Sequence, residues 1–136
     1  MGMIILSEED KTPATIQEIV YRLKIKDVMT VDVVTTGEDT SLKEIQKIMR
    51  ERGITGVPIV DKAGMLKGMI TIGDLIEAME DRHINEKAGS CMRRDIVVLE
   101  EEMPLSFAIN YFNKYSYHRF PVLNKDSHLV GIITGR

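Results

Sequence analysis

The residues of this chain best suited to chemistry are Thr71 and Asp74, in the run Gly68-Met69-Ile70-Thr71-Ile72-Gly73-Asp74. A hydroxyl, the glycine Gly73 and a carboxylate follow an apolar run and precede a helical pattern, so they belong at a strand end leading into a helix start. Helix N-termini carry free N–H groups and a partial positive charge, which suit phosphate. An ionised aspartate only accepts hydrogen bonds, so the paired hydroxyls of a ribose are natural partners, each charge-assisted bond contributing about 1.5–3 kcal/mol. The competing interpretation is that Asp74 merely caps the helix and Thr71 is an ordinary strand residue. A second pair, His118-Arg119, joins a planar fork of donors for phosphate to an imidazole that titrates near neutral pH. Its plainer interpretation is a solvated pair at a strand entrance. Arg94 is placed to approach phosphate, yet Arg93-Arg94 reads equally well as a solvated loop.

Composition removes several other chemistries. A single cysteine, Cys91, allows neither an internal disulfide nor a CxxC metal site, and it reads as a small buried apolar residue. His83, His118 and His128 are scattered, and no metal site is expected from them. His83 reads as solvated near a helix end and His128 as part of a hairpin turn. P-loop, GxGxxG, GxSxG and HExxH patterns are all missing, so the chain is not expected to be an enzyme in its own right. The nine methionines fall mainly on apolar faces and read as core filler. A net charge of −3, no dense basic run and no tryptophan argue against a nucleic-acid partner. No apolar stretch approaches the roughly 18 residues of a membrane span, and with no export signal a cytoplasmic location is expected. In 136 residues, 43% of them hydrophobic, there is material for one compact unit or two very small ones.

The elements that must hold these residues come twice. With an offset of 63, residues 29–73 lie over 92–136 without a gap. Eleven of those 45 positions are identical, among them Met29/Met92, Pro58/Pro121, Gly68/Gly131 and Thr71/Thr134, where about three would coincide by chance. Each copy predicts the order β-α-β-β-α. In the first, a short β run over 31–35 precedes a helix whose start, Ser41-Leu42-Lys43-Glu44, fits a capping box. Leu42, Ile45, Ile48 and Met49 form its apolar stripe, and Gly53 is placed to end it. Residues 57–60 and 66–71 predict a hairpin across Asp61-Lys62-Ala63-Gly64, with Pro58 starting or edging its sheet. A second helix follows Gly73, with Leu75, Ile76 and Met79 on its inner face. In the second copy the spacing predicts a strand over 96–99, a helix from Pro104 to Tyr115, and strands over 120–123 and 129–134. Ahead of both, Thr12-Pro13 can start a helix carrying Ile16, Ile19, Val20 and Leu23.

The motifs, in order and twice over, resemble a tandem CBS-domain module, the paired repeat named after cystathionine β-synthase. The first copy supplies Asp27-Val28-Met29-Thr30, then 53–60 around Pro58, then 68–74. The second supplies Cys91-Met92, His118-Arg119-Phe120-Pro121-Val122 and Gly131-Ile132-Ile133-Thr134. The resemblance implies an α/β fold of two pseudo-symmetric β-α-β-β-α repeats packed sheet to sheet, with an N-terminal helix. Residues 1–25 form the extension with that helix, 26–88 repeat 1 and 89–136 repeat 2, which lacks its last helix. It further implies a regulatory rather than catalytic role and clefts for adenosine nucleotides: AMP, ADP or ATP, with S-adenosylmethionine as a further candidate. By position, Asp74 takes the ribose diol, Thr71 lies near the phosphate, Gly73 between them counts among the ligand-binding residues, and Arg94, Asp95, Ile96 and Val97 line the adenine pocket. His118 and Arg119 then meet the phosphates of the ligand held by Asp74, in one inter-repeat cleft.

The second cleft is expected to be poorer. It pairs Thr134 with an acid that falls one position beyond Arg136, and the places of His118 and Arg119 are taken by the uncharged Thr55-Gly56. The resemblance also implies a homodimer through apolar helix stripes and an effector domain or protein beyond the C-terminus. The chain stopping before the last helix of repeat 2 points the same way, to a longer parent or to a partner that covers the gap. The rival expectation is a ligand-free dimerisation scaffold within a larger protein.

Overall fold

The computed structural model describes residues 15–116 and 119–135. In chain order they form the helices α1 (Ile16–Arg22), α2 (Ile25–Val28) and α3 (Leu42–Arg52), followed by strands β1 (Gly56–Val60) and β2 (Leu66–Thr71). Then come α4 (Ile72–Glu80), α5 (Ala88–Cys91), β3 (Leu99–Glu100), α6 (Leu105–Lys114), β4 (Arg119–Leu123) and β5 (Leu129–Thr134). These elements divide into two compact units. One comprises Asp32–Val97 with Asp126–Leu129; the other comprises the described residues up to Val31, then Val98–Lys125 and those from Val130 on. The mixed α/β class with two sheets is the expected one.

In the first of these units α3 forms where its sequence predicts, with one arm of the expected capping box. The Ser41 hydroxyl accepts from the Glu44 N–H at 3.1 Å, and Leu42, Ile45 and Met49 are buried on one face. The helix stops at Gly53, whose φ of +65° is the left-handed region that glycine enters without strain. β1 and β2 pair antiparallel from Gly56↔Thr71 to Val60↔Leu66, with an irregularity between Ile59 and Val60. The turn is held by Asp61, whose carboxylate accepts from the Ala63 and Met65 N–H groups at 2.9 Å. The bond from Met65 is the main reason its pKa lies below the ordinary carboxylate value.

Pro58 lies on an edge strand, as its missing N–H requires. That edge also explains a departure from expectation. The β run over 31–35 is not a strand: only Thr36 bridges Ile59, donating to the Pro58 carbonyl at 3.2 Å and accepting from Val60 N–H at 2.9 Å. With a proline on the outer edge of β1, one potential donor is gone and the run gains too little to become regular. The second copy behaves alike, since only Leu99–Glu100 pairs in parallel with Val122 and Leu123.

On α4 the buried residues are Leu75 and Ala78, whereas Ile76 and Met79 are about half exposed. This corrects the expected inner face. Alanine carries too little apolar signal to mark its own side of a helix. Cys91 is half-buried instead of buried, and its thiol donates to the Glu86 carboxylate at 3.5 Å. Burial, with the Glu86 carboxylate beside it, pushes its pKa up, which keeps it a poor nucleophile at neutral pH.

The second unit contains β3, β4 and β5 in that order, with α6 and α1 packed together. Thr15 caps α1, its hydroxyl accepting from the Glu18 N–H at 3.1 Å; the expected start at Thr12-Pro13 lies outside the described residues. Of the predicted stripe, Ile19, Val20 and Leu23 are half-buried while Ile16 is exposed. α6 is capped by Pro104, with no side-chain bond, and Phe120 is fully buried beneath it among Tyr111, Phe112 and Tyr115.

A feature with no counterpart in the sequence pattern is the exchange of lead-in segments. Residues 86–93, which precede the second copy, pack in the unit of the first. Leu42 N–H donates to the Glu86 carbonyl, Ala88 N–H to Thr40 and Gly89 N–H to Glu38, at 2.7–2.9 Å. Residues 23–30, which precede the first copy, do the same in the other unit. Leu105 N–H donates to Leu23, Ile25 N–H to Met103 and Lys26 N–H to Glu101, at 2.8–3.0 Å. The two sets are related by the 63-residue offset, as are the bridges Ser41↔Lys87 and Lys24↔Pro104.

Glu102 pins the second exchange. Its two carboxylate oxygens accept from Lys24 at 2.8 Å and Lys26 at 2.9 Å, which lowers its pKa from 4.5 to about 2 and raises that of Lys26. A carboxylate depressed in the folded state stabilises fully above its unfolded value, and that contribution is lost as pH falls through the folded one. Acid titration of the thermal midpoint should therefore show a decline between pH 4.5 and about 2 that Glu102→Gln reduces. Identical acid limbs for the two proteins would remove Glu102 from the account. The pair is exposed, so 1 M salt should shrink the difference.

Candidate functional site

Thr71 ends β2 in an extended conformation and caps α4, so the strand–helix junction sits where the sequence placed it. Two bonds make a capping box: the Thr71 hydroxyl takes the Asp74 N–H at 3.4 Å, and Asp74 Oδ2 takes the Thr71 N–H at 2.8 Å. The Thr71 hydroxyl donates to the same Oδ2 at 3.0 Å. Asp74 therefore does cap its helix, the plainer of the two interpretations, and its charge lies where a helix N-terminus favours an anion. The Ile72 N–H goes to the Thr55 carbonyl at 2.9 Å, so part of the helix start is already satisfied. A methyl group at Gly73 would meet only the Thr71 hydroxyl, at 3.7 Å, so packing does not demand the glycine there.

The other oxygen of Asp74 is engaged by Arg93, half of the Arg93-Arg94 pair that the sequence pattern equally allows as a solvated loop. Arg93 Nε donates to Asp74 Oδ1 at 3.0 Å. The Asp74 side chain is only 10% exposed, while that of Arg93 is 63% exposed. The backbone of Arg93 is fixed, because its N–H and carbonyl both bond to Met69 at 2.9 Å. This antiparallel bridge runs across Gly68, where an added Cβ would stand 2.9 Å from the Arg93 carbonyl oxygen. The signal was present in the repeat: the position 63 residues before Arg93 is Thr30, which makes the same bridge to Ile132. A charge unique to one copy at a shared backbone position marks a departure from the common scaffold.

Arg94 turns elsewhere, donating to the Gly89 carbonyl at 3.0 Å and lying 3.7 Å from the Glu38 carboxylate. Asp95 is exposed, and Ile96 and Val97 are half-buried on the irregular segment that follows. Thr71, Gly73, Asp74 and residues 94–97 thus share one compact unit. Arg119 opens β4 in the other, and His118 lies outside the described residues. His83 is largely exposed, with Nδ1 3.9 Å from Glu86, and His128 bridges Met65 in the turn where the repeat placed it.

The family model described as CBS domain matches residues 25–81 and again 88–136. Inosine-5'-monophosphate dehydrogenase of Methanocaldococcus jannaschii is 30% identical over 126 residues, 90% of this chain but 25% of the enzyme. Homoserine O-acetyltransferase of Methanococcoides burtonii is 28% identical over 128 residues, 94% of this chain and 26% of that protein. An uncharacterised protein of M. jannaschii is 30% identical over 112 residues, 82% of this chain and 37% of its own length. The chain thus spans about a quarter to two fifths of these relatives. Among solved structures, the CBS domain pair of protein MJ0100 in complex with 5'-methylthioadenosine and S-adenosyl-L-methionine is 28% identical with a TM-score of 0.74. That match covers 82% of this chain and 89% of the other. The AcuB protein of Vibrio cholerae is 29% identical with a TM-score of 0.77, covering 82% and 84%. Among the described residues no helix is long and apolar enough to cross a membrane.

Proposed function

This chain belongs to the CBS domain family, and on that premise we propose that it is a regulatory module whose Asp74-bearing unit takes an adenosine-class ligand. The observation that carries the proposal is the placement of Asp74. A largely buried carboxylate stands at a strand–helix junction, with one oxygen committed to the cap and the other facing an exposed, exchangeable arginine. A vicinal diol matches such an acceptor, and the 28%-identical MJ0100 pair, solved with two adenosine compounds, makes adenosine the diol to test first. Thr71 orients Asp74, the bare Gly73 allows a ligand to approach the helix start, and residues 94–97 offer backbone groups to a base edge. Enzymes among the relatives carry the module as a minor part of their length, so the proposed output is a change read by an attached or partner domain. Such coupling requires that the ligand bind the two states of the module with different affinity.

The test is a thermal-shift panel of adenosine, 5'-methylthioadenosine, S-adenosylmethionine, AMP, ADP and ATP. A compound at 100 times its Kd stabilises the native state by about 2.7 kcal/mol, a shift of several degrees for units of this size. At least one member of the panel should produce it. No shift with any of them at millimolar concentration contradicts the proposal.

A second reading, a ligand-free scaffold that pairs with its own copy, is favoured by the exposed Ile72, Ile76 and Met79 along α4. Self-association in sedimentation, together with a flat thermal-shift panel, would support it over the first.

A further inference from the structure

Asp74 is nearly saturated as an acceptor. Its Oδ2 holds the Thr71 N–H at 2.8 Å and the Thr71 hydroxyl at 3.0 Å, and its Oδ1 holds Arg93 Nε–H at 3.0 Å. A carboxylate has roughly two lone-pair positions on each oxygen; the Thr71 bonds fill those of Oδ2, so a vicinal diol must be held at Oδ1, where its two hydroxyls need both positions. The Thr71 N–H bond belongs to the cap of α4, and the Thr71 hydroxyl that shares Oδ2 is itself held by the cap bond it accepts from Asp74 N–H. The bond on Oδ1 comes from a side chain that is 63% exposed and leaves the protein on a flexible aliphatic stem, while its backbone stays bridged to Met69. Arg93 is thus the mobile competitor for the oxygen a diol would use.

We propose that Arg93 is the specificity-determining residue of this site, exchanging Asp74 for an anionic group on the ligand. This rests on the reading that Asp74 takes the sugar of an adenosine-class ligand. The diol displaces the guanidinium from Oδ1, and the guanidinium must then find another anion or remain unpaired beside the site. A phosphate supplies that anion, and the planar fork of arginine meets two of its oxygens at once. A neutral nucleoside supplies nothing, and a sulfonium such as that of S-adenosylmethionine brings a like charge. The site therefore selects nucleotides over nucleosides and over sulfonium ligands. Arg94 does not share the task, since its guanidinium is engaged by the Gly89 carbonyl and lies near Glu38. At the equivalent position of the other copy stands Thr30, which has no guanidinium to exchange.

The test is calorimetric titration of adenosine, S-adenosylmethionine and AMP into the wild-type chain, Arg93→Gln, Arg93→Lys and Asp74→Asn, with thermal midpoints confirming that each variant is folded. The wild type should bind AMP about tenfold or more tightly than adenosine, and Arg93→Gln should bring that ratio close to one, with adenosine gaining as AMP loses. Arg93→Lys, which keeps the charge without the fork, should fall between them. An AMP-to-adenosine ratio unchanged in Arg93→Gln overturns the inference and leaves the reading of Asp74 standing if Asp74→Asn still weakens binding. No binding of any of the three by the wild type overturns the inference, and affinities untouched by Asp74→Asn overturn both it and the reading of Asp74.

Discussion

Gly68→Val is expected to destabilise the Asp74-bearing unit by about 3 kcal/mol, because the added carbons have nowhere to go. The first of them would stand 2.9 Å from the Arg93 carbonyl oxygen and would also collide with the Met92 side chain. Backbone cannot yield as a flexible side chain can, and this backbone is tied to Met69 by two bonds of 2.9 Å. Relief would require the 92–94 segment to lift away, carrying Arg93 off Asp74. The loss should appear as a lower urea midpoint and as weaker ligand binding by the fraction that stays folded. The offset of 63 supplies a twin: at Gly131 an added Cβ would stand 3.0 Å from the Thr30 carbonyl oxygen and would collide with Met29. Gly131→Val should therefore destabilise the other unit comparably. The described aromatic side chains all belong to that unit, so near-ultraviolet dichroism should follow the Gly131 variant's transition more closely than the Gly68 variant's. Unchanged midpoints in both variants would mean that the lead-in segments do not cross these glycines.

The second large effect is expected at Asp74. An amide in place of the carboxylate keeps the size and can still accept from the Thr71 N–H, so the cap weakens by about 1 kcal/mol at most. Ligand binding loses far more. Two charge-assisted bonds to a diol contribute about 1.5–3 kcal/mol each, so Asp74→Asn should weaken an adenosine-class ligand at least a hundredfold while the thermal midpoint moves only a few degrees. Thr71→Ser keeps the capping hydroxyl and should leave both quantities close to wild type, which separates loss of the carboxylate from disturbance of the helix start.

What the sequence discloses here is local. Ser41 and Gly53 bound α3, Asp61 organises its turn, and Thr71 with Asp74 marks the strand–helix junction, because each acts on neighbours within a few residues. The duplication was equally plain, since it needs only comparison of the chain with itself. The exchange of residues 23–30 and 86–93 was not, for a definite reason. Gly68 and Gly131 offer the two lead-ins nearly the same crossing point, so no local pattern says which copy each will choose. The strands expected over 31–35 and 96–99 shrank because their partner edges contain Pro58 and Pro121, a property of the neighbour and not of the run itself. Arg93 was passed over because its partner lies 19 residues away and is reached only after β2, α4 and the lead-in have folded together.

Calorimetric titration of AMP into the wild-type chain and into Asp74→Asn, under the same conditions, decides whether the Asp74 carboxylate holds the ligand. The wild type should show one strong binding event per chain, weakened a hundredfold or more in the variant, whose thermal midpoint shows it to be folded. Equal affinity in the two proteins, or no uptake of AMP alongside a flat six-compound thermal-shift panel, would overturn the reading of Asp74.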